Sequence, residues 1–167
     1  MKTIRSLLML PSLIVMLYSC GNAQDWRKIA PLKSTRAEVE ALLGPAEGAF
    51  SAIYQLEAGS LFIEYSSGPC RPERKGGWNV PENVVVSVSF SPKHKVRIAN
   101  VKLDPKKFRK VIGQHVGGVI HYINDEEGIT YAVQGGKVDA IEYGPAERYQ
   151  HLYCGDAVDK KPQFPGK

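Results

Sequence analysis

The stretch from Asn83 to Ser91 has the clearest alternating pattern in the chain. Successive side chains of a β-strand point to opposite faces of a sheet, so one face of this strand is apolar and the other is polar. Such a strand belongs to an antiparallel sheet that is covered on one side. The apolar positions are Val84, Val86, Val88 and Phe90, and the polar positions are Ser87, Ser89 and Ser91.

Further strand patterns flank this stretch. Segments 49–56 and 60–66 surround the turn 57–59 and predict a hairpin. Segments 119–124 and 128–134 surround the turn 125–127, and a last strand is predicted over 137–143 after a Gly-Gly pair. Six strands are therefore predicted.

A short helix is predicted before the first hairpin. Thr35 and Glu38 have the spacing of a capping box, in which each side chain accepts a hydrogen bond from the other residue's backbone N–H. The apolar residues Val39, Leu42 and Leu43 then form one stripe, and Gly44 ends the helix. Two helical turns are not stable alone in water, so the stripe is expected to dock on the sheet.

A second helix is predicted over 104–113, where Asp104 is a suitable N-cap and Pro105 occupies the first helical position. Phe108, Val111 and Ile112 repeat the apolar spacing of the first helix. The predicted fold class is α+β, with short helices packed on one face of an antiparallel sheet. The spacing also suggests two helix-plus-three-strand repeats, over 32–91 and 101–145, although any short capped helix before a hairpin gives a similar pattern.

The first residues have the pattern of an export signal. Lys2 and Arg5 precede an apolar run over 7–18, and small or polar residues follow. The run is too short to span a bilayer, which requires roughly 20 apolar residues. We predict an export signal over 1–23, a single α+β domain over 24–157 and a flexible tail over 158–167.

Two cleavage sites fit this signal. Gly21-Asn22-Ala23 is a small-x-small site, which makes Gln24 the first mature residue. Leu17-Tyr18-Ser19-Cys20 resembles a bacterial lipobox, and cleavage there leaves a lipid anchor on Cys20. The sequence thus predicts an exported bacterial protein that is periplasmic, anchored to the outer membrane or secreted, with membrane contact only through Cys20.

The two remaining cysteines, Cys70 and Cys154, are expected to form one disulfide in an oxidising compartment. Free thiols or an intermolecular bond are the alternatives. The cysteines and histidines lack metal-ligand spacing, so no metal is predicted. No GxSxG, HExxH or phosphate-binding glycine motif occurs, and neither a catalytic residue nor a cofactor is predicted.

The formal charge of the chain is +5, and its basic residues are concentrated between Lys93 and Lys110. This basic stretch would suit an anionic surface such as lipid headgroups or an acidic protein. Alternatively, the basic stretch is the solvent-exposed face of a helix and its flanking loop and binds no partner. A nucleic-acid partner is not expected, because no recognition motif occurs. The basic stretch consists of Lys93, Lys95, Arg97, Lys102, Lys106, Lys107, Arg109 and Lys110.

Aromatic side chains provide other candidates for partner binding. Trp78 and Asn79 lie in a long loop over 67–82, where a tryptophan is either a binding anchor or a seal on the core. Tyr122, Tyr131 and Tyr143 lie on neighbouring predicted strands, and a sheet face with several tyrosines suits protein recognition. Ordinary sheet packing is the alternative for these rings.

The segment Ser34–Pro45, STRAEVEALLGP, and the aromatic hairpin after it resemble two groups of proteins. One is the small exported envelope proteins of the outer-membrane assembly lipoprotein type (SmpA/OmlA, BamE-like), and the other is the repeats of the β-lactamase inhibitor protein. The wider opening Trp26–Arg36, W-R-x-I-x-P-L-x-S-T-R, is similar to exported bacterial proteins without an assigned function. The resemblance implies a capped helix followed by an antiparallel sheet, and non-enzymatic work on another envelope protein.

We therefore expect a non-enzymatic protein-binding or scaffolding module of the bacterial envelope. The alternative is a periplasmic ligand-binding or inhibitor-like domain that uses Trp78 and the basic stretch against an anionic partner. A small hydrolase is the third hypothesis.

Overall fold

A computed structural model describes residues 25–72, 76–113 and 118–155 of the chain. The predicted export signal, its Cys20 and the predicted tail over 158–167 lie outside these residues. The described residues form a sheet of seven strands: β1 (Ser51–Leu56), β2 (Gly59–Tyr65), β3 (Val85–Pro92), β4 (Arg109–Ile112), β5 (Ile120–Asn124), β6 (Ile129–Gln134) and β7 (Lys137–Tyr143).

The strand order across the sheet is β1-β2-β3-β7-β6-β5-β4, and every neighbouring pair is antiparallel. The sheet thus consists of two meanders, β1–β3 and β4–β7, which meet where β3 pairs with β7. Six of the strands were predicted, with small shifts at their ends, and the predicted antiparallel sheet is confirmed. No helix in the described ranges is long and apolar enough to cross a membrane.

The predicted α+β architecture, with short helices packed on one face of the sheet, is wrong. The segment α1 (Arg36–Leu43) is the single α-helix among the described residues. Three short 3₁₀ helices accompany it, and almost all other regular structure is strand. The three 3₁₀ helices span Asp25–Lys28, Ile98–Asn100 and Glu147–Leu152.

The second predicted helix is replaced by one turn and an edge strand. The Asp104 carbonyl accepts hydrogen bonds from the N–H groups of Lys107 (3.0 Å) and Phe108 (3.1 Å), and the chain then leaves helical geometry to form β4. The β-branched residues Val111 and Ile112 favour a strand, and the backbone pairing of β4 with β5 outweighs the local preference for a helix. The second half therefore has four strands, and the prediction of two helix-plus-three-strand repeats is wrong.

Helix α1 begins where the sequence predicts. The Thr35 side chain accepts a hydrogen bond from the Glu38 N–H (3.3 Å), while the Thr35 N–H donates to the Glu38 carboxylate (2.7 Å). Gly44 caps the C-terminal end with a φ of 91°, a backbone conformation that glycine adopts without strain. Val39, only 1% exposed, is the helix residue most deeply packed on the sheet.

The main core lies between the first meander and the N-terminal segments. Leu61 and Ile63 of β2 are fully buried there, and Trp26 stacks on Phe90 with ring centroids 4.9 Å apart. Burial of these apolar surfaces supplies the principal driving force for folding. The core cluster consists of Trp26, Ile29, Val39, Ala52, Tyr54, Leu61, Ile63, Tyr65, Val85, Val88 and Phe90.

Candidate functional site

The two faces of the first meander differ sharply in exposure. One face forms the core described above. On the opposite face, every side chain is exposed or half-buried, and we call this surface the open face. Its residues are Ser51, Ile53 and Gln55 of β1, Ser60, Phe62 and Glu64 of β2, and Ser87, Ser89 and Ser91 of β3.

Strand register continues one row of the open face across the sheet, although the row is buried at Ile123 of β5. Ile53 pairs with Phe62, Phe62 with Ser89, and Ser89 with Glu142 of β7. The same row continues through Thr130 of β6 to Ile123 and Arg109 at the far edge. Directly paired side chains share a face of the sheet, so this row forms one transverse band. The band is apolar at the β1 end, polar at the centre and basic at the β4 edge.

A groove of about 470 Å³ follows this band. Carboxylates and hydroxyls occupy much of its lining, and the ring of Phe62 stands at one side. The Ser87 hydroxyl donates a 2.6 Å hydrogen bond to the Glu64 carboxylate, which fixes the orientation of that acid. The polar lining includes Glu64, Ser87, Ser89, Asp125, Thr130 and Glu142.

The groove is rich in groups that accept hydrogen bonds. Glu64 and Glu142 are exposed, whereas the hydroxyls of Ser89 and Thr130 beside Glu142 are half-buried. At its rim, the Asp125 carboxylate forms a bidentate ion pair with Arg109, with distances of 2.6 and 3.0 Å. Within the described ranges, no cluster of three or more histidine, cysteine or acidic side chains could hold a metal ion.

Trp78 and Asn79 lie away from this groove, in a clasp that joins the loop after β2 to the end of the described chain. Cys70 and Cys154 are bonded, which confirms the predicted disulfide. The Asn79 N–H donates to the Leu152 carbonyl (2.7 Å), and the Asn79 side chain accepts from the Cys70 N–H (3.2 Å). The half-buried Trp78 ring packs edge-on against Tyr153 at 5.3 Å. A role for Trp78 and Asn79 in partner binding stays a prediction.

The three tyrosines proposed for recognition lie on the core side of the sheet. Tyr143 pairs with Val88 and meets the edge of the Trp26 ring, whereas Tyr131 meets the edge of the Phe108 ring at 5.8 Å. Tyr122 pairs with Tyr131 on that same side. Burial raises the pKa of both Tyr131 and Tyr143. Their rings therefore contribute to packing, and a further role in binding stays a prediction.

The basic stretch is partly neutralised and does not converge on one surface. Lys95 pairs with Asp139 near the start of β7, whereas Lys107 pairs with Glu127 at 3.3 Å, before β6. These acids lie toward opposite ends of the antiparallel β6–β7 hairpin. Arg109 pairs with Asp125, and this hydrogen bond raises the pKa of the guanidinium. The other basic residues form no ion pair with described residues: Lys93, Arg97, Lys102, Lys106 and Lys110.

Among the residues predicted from the sequence to bind a partner, Tyr143 lines the groove, whereas the polar lining residues were not selected. The serines of β3 were predicted to form a polar face, which was the available signal. Ile53 and Phe62 are apolar, and alternation alone does not tell which of two apolar faces of a hairpin is buried. Glu142 and Thr130 join the band only because β7 pairs with β3, a contact between distant segments.

Comparisons with known proteins do not identify a relative. No protein-family model matches the chain. Neither a curated protein nor a solved structure matches it significantly. The resemblance to outer-membrane assembly lipoproteins and to the β-lactamase inhibitor protein therefore stays a prediction, and the groove on the open face is the principal candidate site.

Proposed function

We propose that the protein is a non-enzymatic binding module of the bacterial envelope and that it holds another envelope protein against the open face of its sheet. The observation that carries the proposal is the groove of about 470 Å³ on a sheet whose other face already forms the core. Phe62 and Ile53 also lie side by side on this open sheet, and contiguous exposed apolar surface is typical of sites that contact a partner.

The composition of the groove favours one kind of partner surface. Glu64 and Glu142 accept hydrogen bonds and carry negative charge, so they suit arginine, lysine or amide donors. Phe62 offers an apolar contact at one end of the groove, and Ile53 lies beside it outside the groove, with 36% and 63% of their surfaces exposed. We therefore propose a protein segment that carries basic side chains beside an apolar one.

The alternative, an anionic partner on the basic stretch and Trp78, has weaker support. Five cations of the basic stretch have no ion pair among the described residues, which favours an anionic partner. However, three others are neutralised by acids of the same chain. Two of these acids share the turn before β6, whereas Asp139 lies near the other end of the β6–β7 hairpin. A hydrolase remains the third hypothesis, and no arrangement described above supports it specifically.

Two double variants that change surface charge distinguish the first two hypotheses. Glu142→Arg combined with Phe62→Asp changes the groove, and Lys106→Glu combined with Lys110→Glu changes the basic stretch. Both pairs replace exposed side chains, so the fold is expected to persist, as checked by circular dichroism. Each tagged protein is cross-linked in the native envelope, and the captured proteins are quantified by mass spectrometry.

We expect the wild type and the basic-stretch variant to capture the same protein in stoichiometric amount, cross-linked to the groove. The groove variant should lose it. Loss with the basic-stretch variant alone would refute the groove proposal and support the anionic partner.

Attachment to the membrane through Cys20 is a separate part of the proposal, and palmitate labelling tests it. If the lipobox is used, the wild type incorporates palmitate and a Cys20→Ala variant does not. Absence of label from both proteins would support cleavage after Ala23 instead.

A further inference from the structure

Strand β1 is one edge of the sheet, and its outer backbone groups have no partner strand among the residues that the structure describes. The Tyr65 N–H donates to the Phe50 carbonyl at 2.8 Å, so these residues form a hydrogen-bonded pair. Hydrogen-bonded pairs alternate along an antiparallel ladder. The N–H and C=O groups of Ser51, Ile53 and Gln55 therefore point away from β2, out of the sheet.

This edge lacks the features by which proteins usually protect edge strands. It carries no charged residue and no proline, and its register with β2 runs without a bulge. Ile53 is 63% exposed, and Phe50 just before the strand is 57% exposed. An edge of this composition is a template for pairing with another strand.

The opposite edge of the sheet provides a contrast. Strand β4 is short, and its exposed residues Arg109 and Lys110 carry positive charge. Ile112 on this edge is 63% exposed, the same fraction as Ile53. The sheet is thus protected by charge at β4 and open to pairing at β1.

We propose that two copies of this chain pair through their β1 strands, antiparallel and about a twofold axis at Ile53. This register places Ile53 opposite Ile53 of the second copy and Ser51 opposite Gln55 of the second copy. Ile53 and its symmetry mate therefore exchange two hydrogen bonds, and each Ser51 N–H donates to the Gln55 carbonyl of the other copy. The Ser51 carbonyl takes no part, because Gly48 of the same chain lies against it. The result is a continuous sheet across both copies.

The side chains are self-complementary in this register. No like charges face each other, because the strand is uncharged. Ile53 lies beside Phe62 within the chain, so pairing creates an apolar run of Phe62 and Ile53 from both copies on the joined open face. An unrelated partner would have to match this pattern, whereas a second copy matches it by symmetry.

The interface is expected to be weak. A single strand pair buries less area than the roughly 1,600 Å² of a typical stable interface. We therefore expect a dimer that dissociates on dilution. This inference goes beyond the proposed function, because it concerns a second copy and not the envelope partner held in the groove.

Charge variants at Ile53 test the pairing directly. Sedimentation equilibrium is measured over a concentration series in a Cys20→Ala background, so that no acyl chain causes association. Ile53→Lys and Ile53→Glu each place like charges opposite each other across the twofold axis, and the association constant should fall at least about tenfold. An equimolar mixture of the two variants should recover a dimer that contains one copy of each.

Ile112→Lys is the matched control, because it changes an equally exposed isoleucine at the other edge. It should leave association unchanged, and thermal melting confirms that all variants fold. A monomeric wild type at every concentration would overturn the proposal. Failure of the mixture to associate, or loss of association in Ile112→Lys alone, would also overturn it.

Discussion

The two halves of the sheet are stabilised in different ways. The first meander, β1–β3, packs against α1 and the N-terminal 3₁₀ helix around fully buried residues such as Leu61 and Ile63. The described part of the second meander, β4–β7, has no α-helix over it, and its buried apolar side chains are fewer, chiefly Ile123, Val133 and Val138. The Phe108–Tyr131 contact and exposed ion pairs add to this smaller cluster. Since exposed ion pairs each contribute about 0–1 kcal/mol, we infer that stability is concentrated in the first half.

The largest expected effect is a truncation in the first core. Ile63→Ala removes a fully buried side chain, and we expect unfolding to become easier by about 4 kcal/mol. The matched change in the second half, Ile129→Ala, removes a half-buried side chain and should cost about 2 kcal/mol. Urea unfolding of both variants measures the difference. Equal losses would show that the halves are equally well packed.

The disulfide gives the next largest effect, because it links the loop after the first hairpin to the chain beyond β7. Replacing Cys70 and Cys154 together with serine should lower the free energy of unfolding by about 2–4 kcal/mol. Urea unfolding measures this loss, and amide hydrogen exchange locates it. We expect faster exchange at the N–H groups of Asn79 and Cys154, which the clasp protects. Unchanged exchange there would mean that backbone pairing alone holds the clasp.

Arg36 donates hydrogen bonds to several acceptors in the first half of the chain. Its guanidinium donates to Glu40 at 2.7 Å and to the carbonyls of Ala46 (3.2 Å), Gly48 (2.6 Å) and Ala49 (2.9 Å), and it lies over the Tyr65 ring. It thereby joins α1 to the loop that enters β1. Lysine cannot satisfy this planar set of acceptors.

We expect Arg36→Lys to lower the melting temperature more than Arg109→Lys does. Arg109 is the matched arginine in the second half, and Asp125 is its one ion-pair partner among the described residues. Thermal melting of the two variants makes the comparison. A larger loss in Arg109→Lys would place the more important arginine in the second half.

Most strands could be predicted from the sequence because hairpins are local. Alternation and turn residues lie close together along the chain, as in β6 and β7 on either side of Gly135-Gly136. The second helix was mispredicted because Asp104 and Pro105 fit the start of a helix as well as they fit a turn. Only the pairing of β4 with β5 decides between the two. Long-range pairing outweighs the propensity of so short a segment.

The candidate site was less predictable for the same reason. A register shift between Glu64 and Tyr65 brings Val85 into the core, so simple alternation assigns that end of β3 to the wrong faces. The predicted recognition tyrosines lie on the core side because Trp26 and Phe108 pack against them. Disulfide pairing was predictable, since only two cysteines lie beyond the predicted export signal.

The smallest expected effect concerns the two predicted helix starts, Thr35 and Asp104, of which only the first begins an α-helix. Hydrogen bonds from the Thr35 backbone N–H and from its hydroxyl lower the pKa of the Glu38 carboxyl below its ordinary value of 4.5. Because the folded-state pKa is lowered, this contribution to stability is present above the ordinary pKa and is lost as the pH falls through the folded value.

Removing the hydroxyl should raise the Glu38 pKa. We expect a Thr35→Val variant to shift the carboxyl titration, followed by NMR, toward the ordinary value, although the backbone N–H still donates to Glu38. The variant should also lower stability by about 1 kcal/mol through loss of the helix cap. Asp104→Ala is the control in the second half, where Asp104 accepts from the Lys106 N–H in a turn and not in a helix. It should leave the Glu38 titration unchanged, and an unshifted titration in Thr35→Val would contradict the capping assignment.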